Sequence, residues 1–405
     1  MNKVLMFLIL VLFSYETTFP CTTAVVSGRA TADGRPLLLK NRDADELQNR
    51  LVSSTEGNFK FIGLVNSNDI LNKQIWSGYN NYGFAIMNSA SYNLKGNDNT
   101  KLADLEGVIM KMALSKCKTV DDFENLLKNI KKPYGVEANF GVIDAQGGAA
   151  YFEVNNFKYV KYDVNDPVVA PDGYLIRTNY SFAGEDNKGF GYIRFNTAKD
   201  IFNKEFTKNK LSASFLICDV PRCLVHSLTE TDLTKELPKD LTDKKYVFFR
   251  DYIPRYLSAS AIVIQGVKSN ESAALTTMWT ILGFPLTSVA VPVWILDDGS
   301  LPTILTTDNT GKAPLCNLAL KLKSMTFPKQ NDATENYINL AALMNQAGTG
   351  IRQKLSPIEN SIITKAEKQI SEWRLNGLNV NEAKSFYNWI DTNLINEIKQ
   401  STGLE

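Results

Sequence analysis

The order in which strand-like and helix-like segments follow one another is the feature that most limits the folds open to this chain. From residue 21 the sequence has strand character, in TTAVVSG, PLLLKNRD, FKFIGLV and IWSGYNNYGFAIMNSASY. Two helix-like stretches follow, and strand character then returns from ANFGVIDAQGGAAYFEV onward. Because strands and helices do not alternate one by one, the pattern predicts an α+β fold rather than an alternating βαβ fold.

The last part of the chain, residues 331–405, has a helical pattern throughout. Two apolar stripes recur there at helical spacing, one on each side of Gly377, a residue typical of helix ends. Apolar stripes of this kind usually face a core. We therefore predict a helical hairpin at 331–405 that packs on a body formed by residues 21–330.

The composition excludes several function classes. Lys and Arg number 44 against 43 for Asp and Glu, so a net charge of +1 offers no electrostatic footprint for nucleic acid or for an anionic membrane. The chain has a single histidine, His226, and five cysteines, which argues against a zinc site that needs several such ligands at close spacing. Nucleotide-binding glycine motifs are also absent from the sequence. We predict neither a metal nor an organic cofactor.

The amino terminus indicates the compartment. Residues 1–20 carry Lys3, then an apolar run and then a polar stretch, which is the layout of a secretory signal peptide followed by a short propeptide. The apolar run is too short for a stable membrane-spanning helix, although an uncleaved anchor stays an alternative. We therefore predict a secreted or periplasmic protein. In an oxidising compartment Cys218 and Cys223 could pair, or they could be ordinary small buried residues.

Cys21 is the first candidate for chemistry. It lies directly after the signal-like segment and directly before the first strand. If residues 1–20 are removed, Cys21 carries both a thiol, with a reference pKa near 8.5, and an α-amino group that titrates near 7.7–8.0. Such an amine can accept the thiol proton and later donate it to a leaving amine, so no histidine is needed. The alternatives are a structural cysteine and a cysteine protease that uses His226.

The segment CTTAVVSGRATADGRPLLLKNRD resembles the start of the mature N-terminal-nucleophile amidases of the choloylglycine hydrolase and penicillin acyltransferase superfamily. This resemblance implies a four-layer αββα sandwich, to which the helical segment at the carboxyl end, predicted from its apolar stripes, is an addition outside the resemblance. It also implies that Asp43 hydrogen-bonds the amino group of Cys21. Lys40 stands where bile-salt hydrolases carry an arginine, so its role and that of Arg42 stay open, with substrate contact as the expectation.

Three further residues follow from the same resemblance, which covers roughly residues 21–310. GYNNYGFAIMNSASY matches the strand that delivers an oxyanion-stabilising asparagine, here Asn88, and RTNYSF gives Asn179 as an amide that binds substrate or intermediate. GFGYIRF gives Arg194, which would organise the carboxylate of the site as a permanent cation. A neutral amide donor can stabilise a developing oxyanion without competing for the thiol proton.

Together these features predict an enzyme that cleaves or transfers an acyl group at a linear amide C–N bond through a Cys21 thioester. The expected partner is a small N-acyl amide, with no nucleic acid and, after processing, no membrane; an oligomer stays open. Alternatives are a dedicated bile-salt hydrolase and a non-catalytic exported binding protein on the same scaffold. The Cys21 thiol could free its own amine by attacking the Pro20 carbonyl, or another protease could remove residues 1–20.

Overall fold

Seventeen strands are found in the structure, a computed structural model that describes residues 21–96, 98, 100, 103–328 and 334–404. The segment predicted as signal peptide and propeptide, 1–20, lies outside the described residues. The strands are β1 (Thr22–Val26), β2 (Leu37–Asp43), β3 (Asn49–Glu56), β4 (Phe59–Asn66), β5 (Ser77–Asn80), β6 (Ala85–Ala90), β7 (Ala138–Ile143), β8 (Ala149–Val154), β9 (Tyr159–Asp163), β10 (Tyr174–Arg177), β11 (Val225–His226), β12 (Thr231–Asp232), β13 (Tyr246–Phe248), β14 (Ser258–Gln265), β15 (Thr277–Leu282), β16 (Val291–Val293) and β17 (Tyr337–Asn339).

Eight α-helices accompany these strands in the described part of the chain. They are α1 (Glu106–Leu114), α2 (Val120–Asn129), α3 (Tyr192–Asn209), α4 (Ala213–Cys218), α5 (Pro314–Thr326), α6 (Leu340–Leu343), α7 (Ile351–Asn376) and α8 (Val380–Thr402). The start of α2 shows how sequence sets these limits. Thr119 and Asp122 form a reciprocal capping box, which satisfies backbone N–H groups that the first helical turn leaves without partners.

Two antiparallel sheets form the middle of the structure. The first has the strand order β10-β1-β2-β14-β15-β16, and the second has the order β3-β4-β5-β6-β7-β8-β9. Strands β1 and β2 of the first sheet pack on β6 and β7 of the second. Helix α1 covers the outer face of the second sheet, while α3, α4, α5 and α7 pack on the first. The predicted α+β fold with four αββα layers is confirmed.

The central strands are buried along their whole length because both of their faces are covered. Every residue of β1 and of β14 is buried. A strand with one face in water alternates polar and apolar residues, whereas a strand between two layers does not. Six strands were not predicted from the sequence, namely β3, β11, β12, β13, β15 and β17, the last of which lies in the part predicted to be helical throughout. Two of them, β3 and β15, belong to the main sheets. β3 carries a polar run, NRLVSSTE, and β15 has the sequence TMWTIL, which lacks a clear period of two.

Strand pairing brings the ends of three distant segments together. In the first sheet Thr22 pairs with Asn41, so Cys21 lies at the end of β1 beside the last residues of β2. On the other side of β2, Ser258 pairs with Asp43, with a register shift before Ser260. β6 of the second sheet packs against β2. The candidate site therefore lies where β1, β2 and β14 meet β6.

The carboxyl-terminal helices pack on the first sheet through aromatic contacts. Trp294 lies edge-on to Trp373 of α7, with ring centroids 4.9 Å apart, and contacts Phe386 of α8 at 5.7 Å. The hydroxyl of Tyr387 accepts a hydrogen bond from the Trp294 backbone N–H and donates one to its carbonyl oxygen. Gly377 ends α7 with a φ of 87°, a conformation that favours glycine. These contacts join both helices to the same core as the sheet.

Two features bear on compartment and redox state. Among the described residues, no helix is long and apolar enough to cross a membrane. All five cysteines are free, so Cys218 and Cys223 do not form a disulfide in this structure. Burial raises the pKa of the Cys223 thiol to about 11, which makes it unreactive at neutral pH.

Candidate functional site

A cavity of about 270 Å³ opens at the junction of the two sheets, and Cys21 lies in its wall. Among the predicted site residues, this cavity brings together Cys21, Lys40, Arg42, Asp43 and Asn88. The rest of its lining comes from the loop after β2, from β4 and β6, and from the segments before β5 and α1. These residues are Ala44, Asp45, Glu46, Asn66, Gln74, Trp76, Ala90, Asp104 and Glu106.

Arg194 holds the backbone of Cys21 through a hydrogen bond. One guanidinium nitrogen, Nη1, donates to the Cys21 carbonyl oxygen at 2.6 Å and to Thr22 Oγ1 at 3.0 Å. The other, Nη2, donates to Asn179 Oδ1 at 2.9 Å. Burial lowers the pKa of Arg194 to about 10, which leaves it a cation at neutral pH. Arg194 therefore fixes the carbonyl of the residue that carries the thiol.

Asn179 belongs to the same hydrogen-bond network as Arg194. It is fully buried and is not part of the cavity lining. Its side-chain Nδ2 donates to the Ala90 carbonyl oxygen at 2.9 Å, while its Oδ1 accepts from Arg194. The amide thus links the start of β1, through Arg194, to the end of β6.

Asp43 is the buried carboxyl of the site. Its Oδ1 accepts a hydrogen bond from Ser258 Oγ at 2.6 Å, and its Oδ2 lies 2.9 Å from Arg255 Nε. Burial raises the pKa of Asp43, while the charges of Arg255 and Arg194 and the hydrogen bond from Ser258 oppose that rise. The direct ion pair of Asp43 is with Arg255, whereas Arg194 acts on it only through its charge.

Lys40 and Asn88 form a pair across the two sheets. The Lys40 ammonium donates to Asn88 Oδ1 at 2.6 Å and to the Trp76 carbonyl oxygen at 2.7 Å. Because an ammonium has no acceptor, only the oxygen of the Asn88 amide can face it. The Asn88 Nδ2 group donates to no described residue, and Asn88 lines the cavity that holds Cys21. The pair therefore offers an oriented N–H donor beside the thiol.

The environment of Lys40 is unusual for a lysine. Burial lowers the pKa of Lys40 from 10.5 to about 7, while the nearby Cys21 and Glu106 raise it and Arg42 lowers it further. Arg42 is also buried, and its two terminal nitrogens donate to Asn49 Oδ1 and Asn66 Oδ1, each at 2.8 Å. Both cations are thus bound to neutral oxygen atoms of the protein. The expectation that they contact substrate stays a prediction.

Sequence reasoning missed several residues of the site. Arg255 and Ser258, the two partners of Asp43, lie more than 200 residues away in the chain and meet it through the pairing of β14 with β2. Trp76 and Glu106 line the cavity from segments just before β5 and at the start of α1. The sequence signal for Ser258 was its position at the start of the strand SASAIVIQ, which indicates a site only when the strand order is known.

His226, the alternative partner of a cysteine nucleophile, does not line this cavity. Its Nδ1 accepts a hydrogen bond from the Thr229 backbone N–H at 3.3 Å, and its ring packs edge-on against Tyr252. His226 is the last residue of β11, in a short antiparallel hairpin with β12. In the described part of the chain, no group of three or more His, Cys, Asp or Glu residues could hold a metal ion.

A comparison with family models gives one match. Residues 29–209 match the model of the family described as acyl-coenzyme A:6-aminopenicillanic acid acyl-transferase. The matched family belongs to the superfamily that the motifs around Cys21 and Asp43 predicted, and the match, which includes Asp43 and begins after Cys21, supports an amidase or acyltransferase of that superfamily. A search of the curated proteins finds no match.

Solved structures with distant similarity come from the same superfamily. An N-acylethanolamine-hydrolyzing acid amidase ortholog of Caenorhabditis elegans is 16% identical, with a TM-score of 0.40, over 50% of this chain and 87% of its own. A variant of the conjugated bile acid hydrolase of Clostridium perfringens is 12% identical, with a TM-score of 0.38, over 68% and 92%. The penicillin V acylase of Agrobacterium tumefaciens is 11% identical, with a TM-score of 0.35, over 68% and 86%. Similarity at this level does not carry an activity over to this chain.

The lowered pKa of Lys40 has a consequence for stability. Between about pH 7 and pH 10.5 the folded chain binds fewer protons at Lys40 than the unfolded chain, so this residue makes stability rise with pH across that window. Lys40→Met removes the effect. We expect the free energy of unfolding of the wild type, relative to Lys40→Met, to rise by up to about 1.4 kcal/mol per pH unit from neutral to alkaline pH.

Urea unfolding of both proteins across that pH range measures this trend. The lost hydrogen bonds to Asn88 and Trp76 lower the stability of the variant equally at every pH, so they do not alter the slope. Lys158→Met, at an exposed position between β8 and β9, is the matched control and should show no such trend. A stability difference between wild type and Lys40→Met that does not change with pH would contradict the buried, near-neutral lysine.

Proposed function

We propose that this chain is an exported amidase or acyltransferase that cleaves a linear amide C–N bond of an N-acyl substrate, with the Cys21 thiol as its nucleophile. The observation that carries this proposal is the shared cavity: the thiol of Cys21, the carboxyl of Asp43 and the free amide donor of Asn88 all line it. The family match over residues 29–209 supports the reaction class. The pattern of residues 1–20 supports export.

The α-amino group of Cys21 would act as the base. With residues 1–20 removed, this amine accepts the thiol proton while Sγ attacks the acyl carbon of the substrate, and the amine then donates that proton to the leaving nitrogen. Asp43 would orient the amine. It lines the same cavity as Cys21, and its own position is fixed by Ser258 and Arg255.

Asn88 would stabilise the oxyanion of the tetrahedral intermediate through Nδ2. Lys40 holds the opposite end of the amide, so the donor is oriented before the substrate binds. A donor that needs no reorganisation during the reaction contributes most to transition-state stabilisation. Arg194 and Asn179 act as positioning residues in this scheme, because they hold the Cys21 backbone rather than the reacting atoms.

The second half of the reaction would resolve a Cys21 thioester. Water attacks its carbonyl carbon in a hydrolase, which releases a carboxylic acid and restores the thiol. A second amine attacks the same carbon in an acyltransferase, which releases a new amide. The protein groups are the same in both cases, since only the attacking molecule differs.

Activity on an N-acyl amide tests the proposal most simply. Asn88→Ala should lower kcat about 10²–10³-fold with a small change in KM, because the donor acts on the transition state more than on the bound substrate. Release of the amine product by the purified chain, with Cys21→Ala as the inactive reference, measures this effect. The matched control is Asn129→Ala, at an exposed position at the end of α2, which should leave kcat unchanged.

Two results would contradict the assignment. A wild-type chain that binds N-acyl amides without turning them over, together with a Cys21→Ser chain that binds them equally well, would indicate a non-catalytic binding protein. Loss of activity in His226→Ala together with full activity in Asn88→Ala would indicate a cysteine–histidine enzyme instead.

Removal of residues 1–20 could be the work of Cys21 itself. The thiol would attack the Pro20 carbonyl carbon, the bond from that carbon to the Cys21 nitrogen would break as the nitrogen gains a proton, and water would hydrolyse the resulting thioester. We expect the intact mass of the expressed wild type to correspond to a chain that starts at Cys21, and that of Cys21→Ala to include residues from before position 21. A Cys21→Ala chain trimmed to position 21 would show that another protease makes the cut.

A further inference from the structure

The cavity around Cys21 carries a clear excess of carboxyl groups. Its lining contains two basic side chains, Lys40 and Arg42, and five acidic ones. Asp43 is neutralised by Arg255. The remaining four form no ion pair with any described residue; they are Asp45, Glu46, Asp104 and Glu106. The two cations are bound to neutral oxygens of the protein, so this acidic end is not compensated by direct contacts.

Glu106 is the most informative member of the acidic end. Its side chain is 6% exposed, it lines the cavity, and its Oε2 has no hydrogen-bond partner among the described residues. Burial raises the pKa of Glu106 well above its usual value, and the neighbouring Asp104 carboxyl raises it further through a hydrogen bond and through its charge, while a backbone hydrogen bond from Glu137 lowers it. A buried polar atom without a partner is costly unless a ligand satisfies it. The adjacent carboxyls of Glu106 and Asp104, which form no ion pair with any described residue, therefore point to a ligand group that can donate a hydrogen bond.

The size and lining of the cavity limit which part of a substrate it can hold. Cavities for drug-sized ligands measure about 300–1,000 Å³, so a cavity of about 270 Å³ lies just below that range. Apart from Cys21, its apolar lining is restricted to Ala44, Ala90 and Trp76. The four lining carboxyls that form no ion pair suit a cationic group better than an acyl chain. The amine side of the scissile amide is the better occupant.

We propose that the acidic end of this cavity, formed by Asp45, Glu46, Asp104 and Glu106, binds a protonated amine on the leaving side of the substrate, so that the substrates are N-acylated diamines. This inference rests on the proposed amidase function and names its substrate class. The ammonium would donate to Glu106 Oε2 and be neutralised by Asp104. An amide whose leaving side carries a carboxylate would instead meet like charge.

Three matched amides test the proposal: N-acetyl-1,4-diaminobutane, N-butylacetamide and 4-acetamidobutyrate, which are cationic, neutral and anionic. Each amide is tested for its ability to protect Cys21 of the processed chain from alkylation by iodoacetamide. The extent of alkylation is measured from the mass of the Cys21 peptide. We expect the cationic amide to give half protection at a concentration about tenfold to a hundredfold below that of the neutral amide, as for a hydrogen bond to a charged group. The anionic amide should protect least.

The paired substitution Asp104→Asn with Glu106→Gln should remove this preference. Both changes conserve side-chain size, and asparagine tolerates the positive φ of 51° at position 104. The matched control is Glu372→Gln, at an exposed position on α7 that does not line this cavity. It also removes a carboxylate and should keep the preference for the cationic amide. Unchanged melting temperatures would show that the paired variant is folded.

Equal or better protection by the neutral or the anionic amide would overturn the proposal, and so would a preference that survives in the paired variant. Hydrolysis of the same three amides is measured separately. Cation-selective protection without hydrolysis of any of them would support the binding site and contradict the amidase function. Hydrolysis of all three at equal kcat/KM would support the amidase function and contradict the substrate class.

Discussion

The buried carboxyl of Asp43 is the constraint on which the rest of the site depends. A carboxylate taken out of water is costly unless it is paired and hydrogen-bonded, and Asp43 meets this requirement through Arg255 and Ser258. Both partners come from β14 or the residues before it, so Asp43 is stable only when β14 pairs with β2. The central pairing of the first sheet and the integrity of the site are therefore one requirement.

A second group of contacts fixes the end of β1 against the other sheet. Arg194 holds the Cys21 carbonyl oxygen and Asn179, and Asn179 in turn holds the Ala90 carbonyl oxygen at the end of β6. On the cavity side, Lys40 holds Asn88 of the same strand. The residue that carries the thiol and the strand that carries the amide donor are thus joined on two sides. Such support is what keeps a nucleophile and an oxyanion donor in register.

Much of this arrangement could be predicted from the sequence, because local patterns record it. The strand-then-helix-then-strand order gave the α+β class, and the motifs around Cys21, Asp43 and Asn88 indicated three residues that line one cavity. Arg255 could not be found in this way, because its role comes from the pairing of two strands separated by more than 200 residues. Local patterns contain no information on such pairing. The same holds for Glu106, whose significance lies in its contact with Asp104 and in the lack of a cationic partner among the described residues.

The proposed mechanism depends on one atom, the Sγ of Cys21, acting as the nucleophile. The most direct measurement of this is the mass of the amino-terminal peptide after the processed chain has been mixed with an N-acyl amide and the reaction has been stopped with acid. We predict a peptide that begins at Cys21 and in which one acyl group has replaced the hydrogen of the thiol. Amide turnover with that peptide never acylated, or with the acyl group on another residue, would contradict it.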